Sequence, residues 1–245
     1  MNGNIQELSR RQLRRTCDTC IVRDRSLCAE LSGQELCSLH QIGRVRRLKA
    51  GERINWDQEP ASQLAIVVSG SVKLTKILPD GRQQIVGLLF PSDFVGQAFS
   101  ATATCCIEAA TDVQLCSFPS AQFEALMQRF PSIERRMLRI ALDELDAARD
   151  WMLLLGRKTA REKVASLLLL IAVRQAGRHG DGDGQRISLP LNREEAGDFL
   201  GLRSETISRQ INRLSSQGII RRDGTRTITV LDRARLKAAT TTPGD

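Results

Sequence analysis

The stretch NREEAGDFLGLRSETISRQINRLSSQ, residues 192–217, decides the fold of the carboxyl-terminal part of the chain. Asn192 followed three residues later by Glu195 is the pattern of a capping box, which opens a short helix. Gly201 ends that helix, and the apolar spacing beyond it predicts a second helix over residues 204–217. Two short helices joined by a glycine-containing turn form a helix-turn-helix.

The second predicted helix is amphipathic, with apolar side chains at positions i, i+4 and i+7 that would pack inward, namely Ile207, Ile211 and Leu214. Its opposite face presents four polar side chains within about two turns of the helix start: Ser204, Glu205, Ser208 and Arg209. Arginine can bind the O6/N7 edge of guanine and glutamate can accept from the N4 amine of cytosine, so we predict that this face contacts bases in DNA. The alternative is an ordinary intrahelical ion pair between Glu205 and Arg209.

The residues after the second helix predict a β-hairpin, with strands at 219–222 and 227–231 and a turn at Asp223-Gly224. Three arginines of this hairpin would reach DNA phosphates: Arg221, Arg222 and Arg226. Such contacts add affinity and salt dependence but carry no sequence choice. The hairpin completes a winged helix-turn-helix.

A long helix is predicted from Pro131, because proline suits a first helical turn. Six apolar side chains along it follow a 3-4-3-4-3 spacing and form one seam: Leu138, Ala141, Leu145, Ala148, Met152 and Leu155. We interpret this seam as the interface of a homodimer; the alternative is an amphipathic helix that packs on its own domain. Two of the six are small alanines, which reduces the buried area and indicates a weak interface that suits a switch. A further helix is predicted over residues 159–175.

The middle of the chain predicts short strands separated by turns, with strands at 64–68, 72–77, 84–89 and within 107–118. Turn sequences such as Pro79-Asp80-Gly81 recur about every ten residues, which is typical of a small β-roll or barrel. The sequence contains no Ser/His/Asp constellation, no glycine-rich phosphate loop and no convincing pair of carboxylates. We therefore expect that the protein is not an enzyme.

The composition favours a nucleic-acid partner. The 245 residues carry a net charge of +8, and 41% of them are hydrophobic, which is ample for packed cores. Aromatic residues are only 4%, with no tyrosine, which argues against stacking on single strands and favours double-stranded DNA. No stretch approaches the roughly 18 apolar residues of a membrane span, and residues 1–15 lack the apolar core of a secretion signal. We expect a cytoplasmic protein that does not bind membranes.

Seven cysteines are present, an odd number that makes a disulfide framework a poor interpretation. Cys17, Cys20 and Cys28 form a Cys-x2-Cys-x7-Cys pattern in a polar, arginine-rich segment. Thiolates at this spacing can converge on one metal ion or cluster, and neighbouring arginines would stabilise them. The two histidines, His40 and His179, lie elsewhere. This leaves a zinc-thiolate site or an iron-sulfur cluster, either of which needs a fourth ligand, or else a flexible tail with unligated thiols.

The order of a cysteine-bearing amino terminus, a β-roll, a long helix and a winged helix-turn-helix resembles that of the CRP/FNR superfamily over nearly the whole chain. Residues 200–209, LGLRSETISR, look like the Glu-x-x-Ser-Arg recognition element of its oxygen-responsive group. The cysteines narrow the resemblance to FNR-type (FnrL/FnrN-like) regulators. The first three cysteines match the first three FNR ligands, and Cys116, in the sequence Val-Gln-Leu-Cys-Ser-Phe-Pro, matches the fourth. Cys37, Cys105 and Cys106 match no ligand position.

The resemblance implies a 4Fe-4S cluster on those four cysteines. The cluster would support an active homodimer when oxygen is scarce, and its conversion by oxygen would weaken the dimer and release DNA. The resemblance further implies RNA polymerase as a partner and a palindromic TTGAT site, which is read by Glu205, Ser208 and Arg209.

The sequence departs from the family pattern at two places. Arg203 stands where a serine or threonine cap is usual, so we expect Ser204 to cap the recognition helix instead. Residues 91–98, PSDFVGQA, lack the Arg-Ser-Ala phosphate cassette of the cyclic-nucleotide members, so we expect no cyclic nucleotide as effector. Two other classes stay open. One is a regulator of this fold with structural zinc or with another redox or nitric-oxide response, and the other is a redox enzyme, for which no substrate or flavin site is visible.

The sequence thus predicts an α+β protein of four segments. These are an N-terminal cluster-binding segment (1–30), a cupin-like β-roll sensor domain (31–130), a dimerisation helix (131–158) and a winged helix-turn-helix DNA-binding domain (159–245).

Overall fold

The computed structural model describes residue 17 and residues 19–55, 60, 62–176 and 182–241. Residues 1–16 and residue 18 of the predicted cluster-binding segment lie outside these residues. The described chain divides into two compact units. The first contains the residues up to Gly81 and Val86–Glu144, and the second contains Arg82–Ile85 and the residues from Leu145 onward.

The β-roll predicted from the turn pattern is confirmed as two antiparallel four-stranded sheets. Their strands are β1 (Arg44–Leu48), β2 (Arg53–Asn55), β3 (Gln63–Ser69), β4 (Val72–Ile77), β5 (Gln83–Leu89), β6 (Phe94–Val95), β7 (Cys106–Ala109) and β8 (Val113–Pro119). The strand order is β1-β8-β3-β6 in one sheet and β2-β7-β4-β5 in the other.

Strand β3 shows why an uninterrupted apolar run forms a strand here. Leu64 and Ile66 enter one apolar cluster, in which helices cover the sheet, whereas Ala65 and Val67 enter a second cluster between the two sheets. Successive side chains of a strand point to opposite faces, so both faces of β3 are buried. We call the first group the helical cluster; its other buried members are Val22, Leu27, Leu39, Phe94, Phe118, Phe123, Met127 and Ile133.

Short helices precede and follow the roll in the first unit. Two 3-10 turns, Arg23–Arg25 and Leu27–Glu30, lead into α1 (Gly33–Ile42), and α2 (Ser120–Arg129) leads into α3 (Pro131–Arg157). Helix α1 opens with a capping box that the sequence analysis missed: the Ser32 hydroxyl accepts from the Glu35 amide, and the Glu35 carboxylate accepts from the Ser32 amide at 2.7 Å. Helix α3 begins at Pro131, as the sequence predicts.

The second unit is a winged helix-turn-helix. Its elements after α3 are α4 (Ala160–Gln175), β9 (Gln185–Ser188), α5 (Arg193–Leu200), α6 (Ser204–Ser216), β10 (Ile220–Arg222), β11 (Thr227–Val230) and α7 (Arg233–Ala238). The predicted hairpin pairs β10 with β11, and β9, which the sequence analysis did not identify, adds a third strand in the order β10-β11-β9. Thr159 and Glu162 form the capping box that starts α4.

An aromatic stack joins the last turns of α3 to α5 within the second unit. The rings of Trp151 and Phe199 lie 4.1 Å apart at an interplanar angle of 23°. Phe199 is buried, so this contact fixes α5 against α3 through a large apolar area. Within the parts of the chain that the structure describes, no helix is both long enough and apolar enough to cross a membrane.

Candidate DNA-binding and cysteine sites

The first helix of the helix-turn-helix is held by its predicted cap. The Asn192 side-chain oxygen accepts from the amides of Glu194 and Glu195, both at 2.9 Å. The Glu195 carboxylate in turn accepts from the Asn192 amide at 2.8 Å. Gly201 ends the helix with φ of 62°, a left-handed conformation that glycine adopts without strain. A Cβ at Gly197 would lie 2.4 Å from the Leu202 carbonyl oxygen, so the turn passes too close to α5 for any side chain at this position.

The apolar face predicted for α6 is confirmed. Ile207, Ile211 and Leu214 are 1%, 2% and 0% exposed. Their burial against the rest of the unit fixes the rotation of α6 about its axis. The polar face therefore points outward.

The predicted cap of α6 is wrong. Ser204 is the first residue inside the helix, and Arg203 occupies the N-cap position with extended backbone and no side-chain capping bond. The reason is that the first helical hydrogen bond already runs from the Ile207 amide to the Arg203 carbonyl, at 3.1 Å.

The four predicted DNA-contacting residues lie together along one cleft of about 570 Å³. The cleft is lined by Ser204, Glu205, Ser208 and Arg209, and also by Arg193, Glu194 and Asn212. The sequence analysis missed the last three. Asn212 could have been found, because it lies four residues after Ser208 and shares its helix face. Arg193 and Glu194 belong to α5, and their approach to α6 depends on the tight turn at Gly201.

Two of the wing arginines are held by neighbours. Arg221 forms an ion pair with Asp223 at 2.8 Å, and Arg222 Nη1 donates to Asn212 Oδ1 at 2.7 Å. Hydrogen bonds from Thr229 and Arg221 lower the pKa of the Asp223 carboxyl, which keeps it charged beside Arg221. Burial and the nearby charge of Arg222 lower the pKa of Arg193.

The cysteines at positions 20, 28 and 116 all pack against the helical cluster, although they are far apart in sequence. Cys116 lies within β8, opposite Val45 of β1 and Ile66 of β3. Burial raises the pKa of the Cys116 thiol to about 12, and the charges of Cys17, Cys28 and Cys20 add to the rise. The packing against the helical cluster brings three of the predicted ligands, Cys20, Cys28 and Cys116, to one region of the first unit.

The segment that carries Cys28 is locally ordered. The Ser26 hydroxyl accepts from the Cys28 amide at 3.3 Å and thereby caps the second 3-10 turn. Burial is the main reason that the pKa of Cys28 is raised. The raised pKa favours the protonated form of the half-buried Cys28 and Cys116 thiols. Among the residues that the structure describes, no group of three or more His, Cys, Asp or Glu side chains is arranged to hold a single metal ion.

The three remaining cysteines lie elsewhere. Cys106 is buried in β7, Cys105 packs against the cluster between the sheets, and Cys37 lies in α1. None of them contributes to the rise in the pKa of Cys116.

Helix α3 exposes an apolar stripe along the predicted seam. Leu138, Leu145 and Met152 are 60%, 43% and 68% exposed, Ala141 and Ala148 are also exposed, and Leu155 is half-buried. Leu142 and Leu153 are exposed too, although the sequence analysis did not include them. Leu142 is four residues after Leu138 and three before Leu145, so it lies on the same face.

A different face of α3 is bound by the residues that follow Cys28. Glu30 forms ion pairs with Arg136 at 3.0 Å and with Arg139 at 2.9 Å. The Ser132 hydroxyl donates to Glu35, and this bond is the main cause of the lowered pKa of Glu35. Positions 132, 136 and 139 are spaced i, i+4 and i+7, so two acidic side chains hold one face of the first turns of α3.

Comparison with known proteins agrees with this architecture. Residues 45–130 match the family described as cyclic nucleotide-binding domain, and residues 162–239 match the Crp-like helix-turn-helix domain. The chain is 47% identical to the transcriptional activator protein FnrL of Cereibacter sphaeroides over 223 residues, which are 90% of each chain. This chain belongs to the CRP/FNR family of transcription regulators.

Further CRP/FNR relatives support the assignment. A probable transcriptional activator of Rhizobium leguminosarum bv. viciae is 43% identical over 90% of this chain and 91% of its own length. The structure of FixK2 from Bradyrhizobium japonicum superposes with a TM-score of 0.74 at 32% identity and covers 83% of this chain and all of the other. The protein is therefore a DNA-binding transcription regulator of the CRP/FNR family, whose relatives are regulators rather than enzymes.

Proposed function

We propose that this CRP/FNR regulator is controlled by an oxygen-labile 4Fe-4S cluster and binds TTGAT-type palindromes as a homodimer when oxygen is scarce. The observation that carries the proposal is the packing of Cys116 against the same apolar cluster as Cys20 and Cys28, across about 90 residues of sequence. No disulfide joins any of the seven cysteines. Four free thiols are the number and type of donor that a 4Fe-4S cluster takes.

The four thiols would hold the cluster through thiolate sulfurs, and the cluster would supply a charge centre whose integrity depends on oxygen. The protein must exclude water from the ligands, and the apolar residues of the helical cluster do this for Cys20, Cys28 and Cys116. The Ser26 cap orients the turn that carries Cys28. Glu30, two residues after Cys28, ties that turn to α3, so the position of the cysteine loop is coupled to the dimerisation helix.

The exposed stripe of α3 would form the homodimer interface. It combines large side chains, Leu138, Leu142, Leu145 and Met152, with small alanines. An exposed apolar stripe at this spacing is the pattern of a helix that pairs with a second copy of itself. Because the area of this interface is modest, we expect a weak dimer. A change in the turn that carries Cys28 should therefore shift the stability of the dimer measurably.

The cleft on α6 would read the half-site. Glu205, Ser208 and Arg209 present a carboxylate, a hydroxyl and a guanidinium on one face, and Ser204 lies one turn before Ser208. These groups can accept from cytosine N4 and donate to guanine O6 and N7. A two-fold dimer presents the same face twice, which requires a palindrome. At promoters the bound dimer would contact RNA polymerase.

Cyclic AMP is not the proposed effector, although the roll matches the cyclic nucleotide-binding family. The stretch where that family carries an arginine for the phosphate reads PSDFVGQA, with no cation to offset a cyclic phosphate. In this proposal each of the four segments has one role. Segment 1–30 forms the cluster site, 31–130 is the scaffold, 131–158 is the dimer helix and 159–245 reads DNA.

Purification without oxygen tests the proposal, with iron and acid-labile sulfide assayed beside a visible spectrum. Binding to a TTGAT palindrome is then followed during controlled exposure to air. We expect a brown protein that loses its spectrum, its dimer and its DNA binding together. A colourless protein that contains zinc and binds equally well in air would reject the cluster and leave a zinc-stabilised regulator.

A further inference from the structure

Asn212 is the residue of the DNA-facing cleft that the Glu-x-x-Ser-Arg motif does not include. It is exposed, lies three residues after Arg209 on α6, and lines the same cleft as Glu205. Asparagine in a major groove ordinarily reads adenine with two bonds, in which its amide oxygen accepts from N6 and its amide nitrogen donates to N7. Position 212 therefore has the chemistry of a base reader.

The wing restricts that chemistry. Arg222 Nη1 donates to Asn212 Oδ1 at 2.7 Å. This bond takes one of the two lone pairs of the oxygen that adenine N6 would need, and it places a guanidinium group beside that atom. The NH2 group, which can only donate, is the part of the Asn212 side chain that this bond leaves fully open to DNA.

The surroundings of Asn212 favour an anion. Arg193 lines the cleft beside Asn212, and Arg222 donates directly to Asn212, so two guanidinium groups lie at this part of the cleft. Two carboxylates, Glu194 and Glu205, line the cleft together with the guanidinium groups of Arg193 and Arg209, and Arg222 adds a third cation beside Asn212. Two guanidinium groups and one NH2 group next to each other match a phosphate oxygen better than a neutral base edge.

We propose that Asn212 and Arg222 act as one unit that binds a backbone phosphate of DNA. The hydrogen bond from Arg222 to the Asn212 oxygen, which we call the lock, prevents Asn212 from reading adenine. The wing thus has two effects on DNA recognition. It adds a phosphate contact, and it suppresses a base preference that α6 would otherwise express. The proposal rests on the DNA-binding function of the family and does not depend on the cluster or on the TTGAT sequence.

Selection from a random duplex library tests this with the full-length protein kept free of oxygen, followed by affinity measurements at several salt concentrations. Asn212→Ala should weaken binding to all selected sequences by about 2- to 10-fold with no change in the consensus. Arg222→Ala should reduce the salt slope by about 1 and add a preference of at least about 5-fold for adenine at one position beside the half-site. The double variant should lose that added preference.

Arg222→Gln separates the lock from the charge, because glutamine can still donate to the Asn212 oxygen. It should lower the salt slope without adding an adenine preference. Arg235→Ala, an exposed arginine of α7 outside the cleft, is the matched control, and circular dichroism of each variant verifies folding. A change of consensus at one base in Asn212→Ala would overturn the proposal, as would an unchanged consensus in folded Arg222→Ala. If the wild-type protein selects a consensus other than TTGAT, the proposed TTGAT half-site is rejected. The comparison of the wild type with the Asn212 and Arg222 variants still tests the lock.

Discussion

The carboxylate of Glu30 lies 3.0 Å from the Arg136 guanidinium and 2.9 Å from that of Arg139, so the loop that carries Cys28 is bonded directly to α3. Arg136 is 20% exposed and Arg139 is 58% exposed, so the ion pair with Arg136 is screened less by solvent.

Removal of this link should loosen the first turns of α3. Glu30→Ala should lower the free energy of unfolding by about 1 kcal/mol, a value near the upper end for partly exposed ion pairs. Urea denaturation measures this loss, and amide hydrogen exchange should be faster in residues 131–140. Arg139→Gln should cost less than Arg136→Gln, and the reverse order would contradict the burial argument.

Cys116→Ser should abolish most of the iron and sulfide content, because a hydroxyl is a poor cluster ligand and β8 offers no alternative thiol. Cys106→Ser provides the control: it changes a buried cysteine of β7 and should leave the iron content near that of the wild type. Equal iron content in both variants would exclude Cys116 as a ligand. The measurement is made on protein purified without oxygen.

Leu142→Glu should convert the protein to a monomer, since it places a charge in the exposed stripe of α3. Sedimentation velocity measures the change, and DNA binding should fall with it. Asp150→Ala lies about a third of a turn away from Leu138 around the helix and should leave the dimer intact. A dimeric Leu142→Glu variant would place the interface on another surface.

Glu205→Ala and Arg209→Ala should each relax specificity at one base pair, with a loss of about 1–3 kcal/mol of discrimination. Arg226→Ala should weaken binding to every sequence alike, because a wing arginine contacts phosphate. Competition binding with single-base variants of the palindrome distinguishes the two patterns. Uniform weakening by Arg209→Ala would show that this residue does not read a base.

Phe199→Ala should destabilise the second unit by about 3–5 kcal/mol, since it removes a buried ring that stacks on Trp151. Tryptophan fluorescence should change in the native state, and thermal unfolding should begin at lower temperature. Phe199→Leu keeps most of the volume and should cost about 1.5 kcal/mol or less.

Much of this architecture follows from local sequence patterns. The capping residues Asn192 and Thr159, the left-handed glycine at 201 and the spacing of Ile207, Ile211 and Leu214 act within a few residues, so α4, α5 and α6 were predictable. Strand β9 was missed because it is short and its pairing with β11 joins distant parts of the sequence. Helix α1 was missed although its capping box, Ser32 and Glu35, is a local signal in the sequence. Cys116 was assigned by resemblance, since no local pattern reveals that β8 lies beside a loop about 90 residues earlier.

The cleft shows the same division. The polar face of α6 is a property of one helix, whereas the roles of Arg193 and Arg222 depend on how α5 and the wing pack against it. The error at Ser204 has a related origin. Backbone geometry, which side-chain preferences alone do not determine, places the N-cap at Arg203.

The position of Cys116 in an interior strand also bears on how the polypeptide matures. Cys17, Cys20 and Cys28 leave the ribosome early and lie next to one another in sequence, whereas Cys116 is in place only after β8 has paired with β1 and β3. A cofactor that requires all four thiols can therefore be inserted only into a roll that is already folded. Nascent or misfolded chains would remain without the cofactor, so only correctly folded chains would become active regulators.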